Sequence, residues 1–177
     1  MNLKTFIVCL DKNKALDIAK TIISKDDDYS ISPMFTTNSL YKDEINENYE
    51  VYMNPATINL SYKNNALLYI KTSKYISVGI TMDDFYNNDI CIMNINEYNT
   101  ISENIFNKYD IITIWIDTRK HKSLSNNDLI EINYFSTFLE KTKYLYFLDN
   151  EENISETILN YLNGDDEERK ILLEENN

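Results

Sequence analysis

Glycine is almost missing from this chain. Gly79 and Gly164 are the only two in 177 residues, where average usage is about 7%. A loop that wraps a phosphate in backbone N–H groups needs glycines, because positive φ and close approach leave no room for a Cβ. Neither G-x-x-x-x-G-K-[ST] nor G-x-G-x-x-G can therefore be written anywhere in the sequence. Arginine is equally scarce, with Arg119 and Arg169 alone, and 17 Lys+Arg face 29 Asp+Glu for a net charge of −12. Such a surface repels a phosphate backbone, so no nucleic-acid partner is expected. No apolar run approaches the roughly 18 residues of a membrane span. The start, Met1-Asn2-Leu3-Lys4, leads into a strand without a signal-peptide layout. No membrane partner is expected, and the expected location is cytoplasmic. Cys9 and Cys91 both lie in apolar strand-like runs, which points to reduced, buried thiols, with a disulfide as the weaker alternative. One histidine and no C-x-x-C leave no metal-ligand set, so neither metal nor cofactor is expected.

What is abundant is Asn, Ile, Lys and Tyr, the signature of an AT-rich genome such as that of a virus, phage or parasite. Hydrophobic residues make up 43%, enough for one core, and no Pro/Gly/Ser-rich linker divides the chain. The reading is one domain over 1–164, with an inserted subdomain at about 30–81, and an acidic tail over 165–177 that frays unless Ile171, Leu172 and Leu173 dock. Thr5–Leu10, Asp89–Ile95, Ile111–Asp117 and Lys143–Leu148 read as strands covered on both faces. Helical patterns fall between them. Ala15, Ile18, Ala19, Ile22 and Ile23 form one stripe, and Asn126–Leu139 carries Leu129, Ile130, Phe135 and Phe138. Thr81-Met-Asp-Asp84 and Asn153-Ile-Ser-Glu156 read as helix starts, and Gly164 as a helix stop. This alternation predicts an α/β fold with a mostly parallel sheet. The stretch Ser30–Thr81 interrupts it, with strand-like pieces at Glu50–Met53 and Ala66–Lys71, and reads as an inserted antiparallel subdomain.

Several conspicuous residues have plain explanations. His121, amid Arg119, Lys120 and Lys122, reads as a solvated loop residue rather than a general base, and the basic cluster as paired with nearby carboxylates. Asp26-Asp27-Asp28 lacks the spacing and glycine of a calcium loop, so a solvated turn accounts for it. The 14 tyrosines follow from composition before they mark a recognition surface.

The opening strand, turn and helix, Phe6–Ile23, has the layout of a nucleotide-binding domain, yet its turn Asp11-Lys12-Asn13-Lys14 holds no glycine. The order of all these pieces resembles the guanylate kinase family over nearly the whole chain. Tyr29-Ser-Ile-Ser-Pro-Met-Phe-Thr-Thr-Asn38 is similar to that family's S-V-S-H-T-T-R, Asn48-Tyr-Glu-Val-Tyr52 to D-Y-x-F, and Ala66-Leu-Leu-Tyr69 to F-L-E-Y. Lys74–Thr81 is similar to N-Y-Y-G-T-S, Asp89–Asn96 to D-V-I-L-D-I-D, and Tyr146–Asn153 to Y-V-I-V-N-D-D-L. The resemblance implies a parallel sheet of the P-loop kinase type flanked by helices, with an inserted small mixed β subdomain.

The departures fall on the chemistry. Phosphoryl transfer needs a backbone cradle, a Lys, a metal-holding Ser/Thr and acidic support. Against the family pattern, Asp11–Lys14 replaces the cradle, Asn94 and Asn96 the acidic strand end, Asn38 an arginine, Leu68 a glutamate and Val78 a tyrosine. Only Arg119 lies where the lid arginines belong. Removing one transition-state donor typically costs about 10²–10³ in rate, and here several are gone. The resemblance thus implies a catalytically inactive protein with a protein partner, serving as an interaction, scaffolding or assembly module in the cytoplasm or, if viral, the virion. The alternative is a nucleotide-binding protein or weak guanylate kinase with a rebuilt loop, its residual nucleotide-binding residues being Lys12, Lys14, Ser32, Tyr49, Gly79 and Arg119.

Overall fold

The structure is a computed structural model and describes residues 3–40, 44–121 and 123–176. Strand β1 (Lys4–Cys9) is wholly buried, and only Leu10 and Asp11 separate it from helix α1 (Lys12–Lys25). The chain then leaves for β2 (Met34–Thr36), β3 (Glu50–Tyr52), α2 (Pro55–Lys63), β4 (Leu67–Ser73) and β5 (Ile76–Thr81). It returns through α3 (Met82–Asn87), β6 (Ile90–Asn94), α4 (Ile95–Tyr98), α5 (Glu103–Lys108) and β7 (Ile111–Asp117). A 3-10 turn at Arg119–His121, α6 (Asn126–Leu139), β8 (Lys143–Leu148), α7 (Ile154–Asn163) and α8 (Asp166–Glu175) complete it.

The first sheet has the order β6-β1-β7-β8, with every neighbouring pair parallel. Because side chains alternate along a strand, β1 feeds two cores. Ile7 and Cys9 meet Ile92, Ile114, α1 and α7 on one face. Phe6 and Val8 meet Met93, Trp115 and Phe135 on the other. That second face is aromatic, with Tyr98 edge-on to Phe135 at 5.0 Å and Trp115 edge-on to Phe135 at 5.2 Å between ring centres. Both cysteines are buried thiols outside any disulfide. Among the described residues no helix is long and apolar enough to cross a membrane.

The inserted subdomain is a second sheet of order β3-β2-β5-β4. It is mixed rather than antiparallel, because β2 and β3 run parallel while β5 opposes both its neighbours. It is fastened to β6: Asp89 Oδ2 accepts the Ser30 amide (3.0 Å) and hydroxyl (2.8 Å), and the Ser32 amide reaches Ile90 O at 2.8 Å. Gly79 sits in β5 between Phe35 and Ile70. A Cβ there would strike the Tyr69 carbonyl and lie 2.5 Å from the Phe35 ring, so the glycine serves close packing between strands.

Other departures from the sequence reading have local causes. Helix α2 begins at Asn54, whose side chain accepts the Ala56 amide, with Pro55 in the first turn. In α6, Leu129 and Ile130 face outward and the buried residues are Ile132, Phe135 and Leu139. Asn153 takes a left-handed φ of 67° before α7 and makes no side-chain cap. The tail is a helix, not a frayed end. Asp165 and Glu168 form a reciprocal capping box, Arg169 donates to the last carbonyls of α7 (Tyr161 O 2.9 Å, Leu162 O 2.7 Å), and Leu172 and Leu173 pack on the core.

Candidate functional site

Ligands of parallel α/β sheets bind beyond the carboxyl ends of the strands, where the strand order reverses. Here that point lies between β1 and β7, and the turn leaving β1 is closed by its own atoms. The Asp11 amide donates to Cys9 Sγ at 3.4 Å, and that thiol reaches Thr118 Oγ1, beyond β7, at 3.7 Å. Asp11 is the N-cap of α1, its carboxylate accepting the Asn13 amide at 3.1 Å. The first N–H groups of a helix are the natural seat of a phosphate. In this chain a carboxylate of its own takes one of them, the Asn13 amide, after a turn of two residues.

A second carboxylate governs Lys12. Glu97 is 3% exposed, and its Oε1 accepts Lys12 Nζ at 2.8 Å. Its Oε2 accepts the Asn94 amide at 3.0 Å while Asn94 Oδ1 accepts the Glu97 amide at 2.9 Å, a capping box that starts α4. Glu97 thus ties the first residue of α1 to the first turn of α4. The Tyr69 hydroxyl is buried close by without a well-formed hydrogen bond. Burial first, and the neighbouring Glu97 carboxylate second, push that phenol well above the usual tyrosine range. Sequence reasoning missed Glu97, although the N-x-x-E spacing of Asn94 and Glu97 was the signal.

A third carboxylate governs Arg119. Asp117, at the end of β7, is 5% exposed and takes Arg119 Nε at 2.9 Å and Nη2 at 2.5 Å. It also accepts the Tyr146 hydroxyl at 2.8 Å. Burial pushes the Asp117 carboxyl up, but the bonds from Arg119 and Tyr146 outweigh it and leave it below its ordinary value. The guanidinium also lies 5.2 Å from the centre of the Trp115 ring, so this arginine is held on both sides. The His121 side chain lies outside the described residues.

The remaining candidates are dispersed. Lys14 makes no ion pair among the described residues and lines a cleft of about 360 Å³ with Asp17, Lys25, Glu151 and Glu156, between α1 and the start of α7. Ser32 is fully buried, its hydroxyl against the Cys91 thiol, which burial above all raises to about 12. Tyr49 adopts φ 56°, and its carbonyl accepts the Met34 amide at 2.7 Å as part of the β2–β3 connection. Gly79 is internal to the second sheet. No hydrogen bond or ion pair joins any two of the six among the described residues. Leu68, where the resemblance puts a glutamate, is 5% exposed and belongs to the core. The Asp26, Asp27 and Asp28 carboxylates gather within 4.8 Å, but Asp26 is already engaged, capping the Asp28 amide at 3.1 Å and holding Asn163 Nδ2 at 3.1 Å.

The whole arrangement, a four-stranded parallel sheet with a mixed sheet inserted after its first helix, has a counterpart among solved structures. A guanylate kinase from Anaplasma phagocytophilum matches with a TM-score of 0.59 over 91% of this chain and 84% of that one, at 12% identity. The fold is guanylate kinase-like. No family model and no curated protein matches the sequence. In this guanylate kinase-like fold, the carboxyl end of the central sheet carries Asp11, Glu97 and Asp117, each already matched to a donor of the chain itself. A site that stabilises a transferred phosphoryl group needs unpaired donors aimed at the developing charge. Lys12 and Arg119, the two cations best placed for it, are already neutralised.

Proposed function

We propose that this chain is a catalytically inactive guanylate kinase-like protein that works as a protein-interaction, scaffolding or assembly module. The observation that carries the reading is the turn Leu10–Asp11, where a carboxylate of the chain caps the helix start that would otherwise receive phosphate. The ion pairs Lys12–Glu97 and Arg119–Asp117 support it, because freeing either cation for a nucleotide leaves a largely buried carboxylate without its partner. The scaffolding role itself follows from fold-level analogy with interaction domains of this type. Lys14, which makes no ion pair among the described residues and lines its cleft, is the observation that favours the competing reading of a residual nucleotide site.

Two measurements on purified protein test the reading. An ATP:GMP phosphotransferase assay with and without Mg²⁺ is expected to show no turnover above background. In a thermal-shift series with GMP, GDP, GTP, ADP and ATP, a nucleotide at one hundred times its Kd would add about 2.7 kcal/mol, raising Tm by roughly 5–10 °C in a domain of this size. No shift is expected. A clear shift with GMP or ATP that Lys14→Ala removes would establish the nucleotide reading instead.

A further inference from the structure

The cleft between β4 and α6 holds chemistry that the closed turn does not explain. Two adjoining hollows of about 210 and 320 Å³ share Lys71, Asn96, Ile130 and Glu131, and Tyr134 borders the larger. The rim is apolar and open. Ile130 is 65% exposed and Tyr134 59%, and they sit one turn apart on the same side of α6.

Part of the polar lining consists of acceptors that lack a donor. Asn99 Nδ2 donates to the Glu131 carbonyl (3.1 Å) and to Glu131 Oε2 (2.7 Å), which fixes the orientation of that amide and leaves its Oδ1 buried without a partner. The Asn96 Oδ1 is in the same condition, and since the Asn96 side chain makes no hydrogen bond among the described residues, it is free to turn. Glu131 engages Asn99 through one oxygen only. Helix α6 carries Asp128 and Glu131 and no basic residue, and among the described residues Lys71 is the only cation lining the two hollows. Two carboxylates against one ammonium, beside unpartnered amide oxygens, ask for a cationic, donor-rich occupant. The net charge of −12 steers a cationic partner toward such a surface and an anionic one away.

We propose that this cleft docks an arginine-bearing segment of a protein partner. A guanidinium supplies five N–H donors in a planar fork for the carboxylate of Glu131 and the amide oxygen of Asn96. Its weakly hydrated face stacks on Tyr134, and its stem lies along Ile130. Lysine offers the charge without the fork or the plane. A phosphate or carboxylate group would meet Asp128 and Glu131. The inference rests on the protein-interaction reading and names the chemistry of the partner.

Amide NMR of the full chain, titrated with acetyl-Leu-Arg-Leu-Arg-amide, tests it, with otherwise identical lysine and glutamate peptides as controls. The arginine peptide is expected to give saturable shifts concentrated at Lys71, Asn96, Asn99, Ile130, Glu131 and Tyr134, and the glutamate peptide none. The lysine peptide should bind about fivefold more weakly, and Glu131→Gln and Tyr134→Ala should each weaken arginine-peptide binding by about fivefold or more, about 1 kcal/mol apiece. Both substituted residues lie toward the surface, so the variants are expected to fold, which the same spectra verify. Shifts scattered over the acidic surface, unchanged affinity in both variants, or an equal response to the lysine or glutamate peptide would overturn the assignment. GMP and ATP added to a parallel sample keep the two readings separable. Nucleotide shifts around Leu10–Lys14 would remove the inactive-protein reading, whereas the arginine site stands or falls on the peptide titrations.

Discussion

Glu97 shows how much of this site is set by a single side chain. It lies 85 residues from Lys12 in sequence, yet its two oxygens start α4 and hold the first residue of α1. Breaking a buried pair by removing one partner costs about 3–5 kcal/mol. Lys12 keeps 23% of its side chain in solvent, so the smaller figure of about 2–4 kcal/mol is expected for Glu97→Ala, measured by urea denaturation. A double-mutant cycle with Lys12→Met should return a coupling of at least about 1 kcal/mol. Strict additivity would mean that the pair contributes nothing beyond its separate packing. Asp117 makes a pH prediction of definite sign. Its folded value is held below its ordinary 3.8, so the native state binds that proton less readily than the unfolded chain. The stabilisation is therefore present above the ordinary value and is lost as pH falls through the folded one. Between about pH 5 and pH 2 the wild type should lose stability more steeply than Asp117→Asn. Parallel curves would show that Arg119 and Tyr146 do not favour the ionised form.

At the scale of elements, Gly79 is the position where the inserted sheet is least tolerant. Added carbon at Gly79 meets the Tyr69 backbone and the Phe35 ring, and neither is the loose end of a flexible chain. Gly79→Ala should cost about 3 kcal/mol or more through overpacking, read as a fall in Tm together with new protease sensitivity between residues 44 and 81. An unchanged Tm would mean that β2 shifts freely. Three strands of the parallel sheet, β1, β6 and β7, were legible because each is a continuous apolar run covered on both faces, whereas β8, expected to be the same, lies at the sheet edge and buries only Leu145 and Phe147 fully. The inserted sheet was harder. Met34–Thr36 is too short to show a period, and β5 contains a glycine. Helix α2, with only Ile58 buried, has no apolar stripe to announce it, though Asn54-Pro55 marks its start. The tail was hidden by its charge, while its capping pair, Asp165 and Glu168, stood in plain view. Of the site, the absence of a phosphate cradle was legible from missing glycines. The pairing of Arg119 was legible too, since Asp117 stands two residues before it, but the partner of Lys12 was not, because an ion pair spanning 85 residues leaves no periodic trace in a sequence.

For the molecule as a whole, the decisive quantity is the excess of 29 acidic over 17 basic residues. Two of those basic groups, Lys12 and Arg119, are spent on carboxylates that are themselves buried, and Lys143 is paired with Asp110 at 2.8 Å. The net charge of −12 leaves acidic groups in excess of any matching cations, and compaction brings those like charges together. Exposed ion pairs such as Lys141–Glu103, at 3.7 Å and about two-thirds exposed on each side, contribute about 0–1 kcal/mol and are themselves weakened by salt. Repulsion among many charges and attraction in a few exposed pairs thus respond oppositely to ionic strength, and the imbalance decides the sign. Raising NaCl from about 0.02 to 0.5 M shortens the screening length from roughly 20 Å to 4 Å, which removes the repulsion between neighbouring acids while leaving the buried pairs nearly untouched. Tm is expected to rise by a few degrees over that range, most steeply at the low-salt end where screening changes fastest. Were Tm to fall instead, the exposed ion pairs would outweigh the acid excess, and the same steering field invoked for an arginine-bearing partner would be too weak to matter at physiological salt.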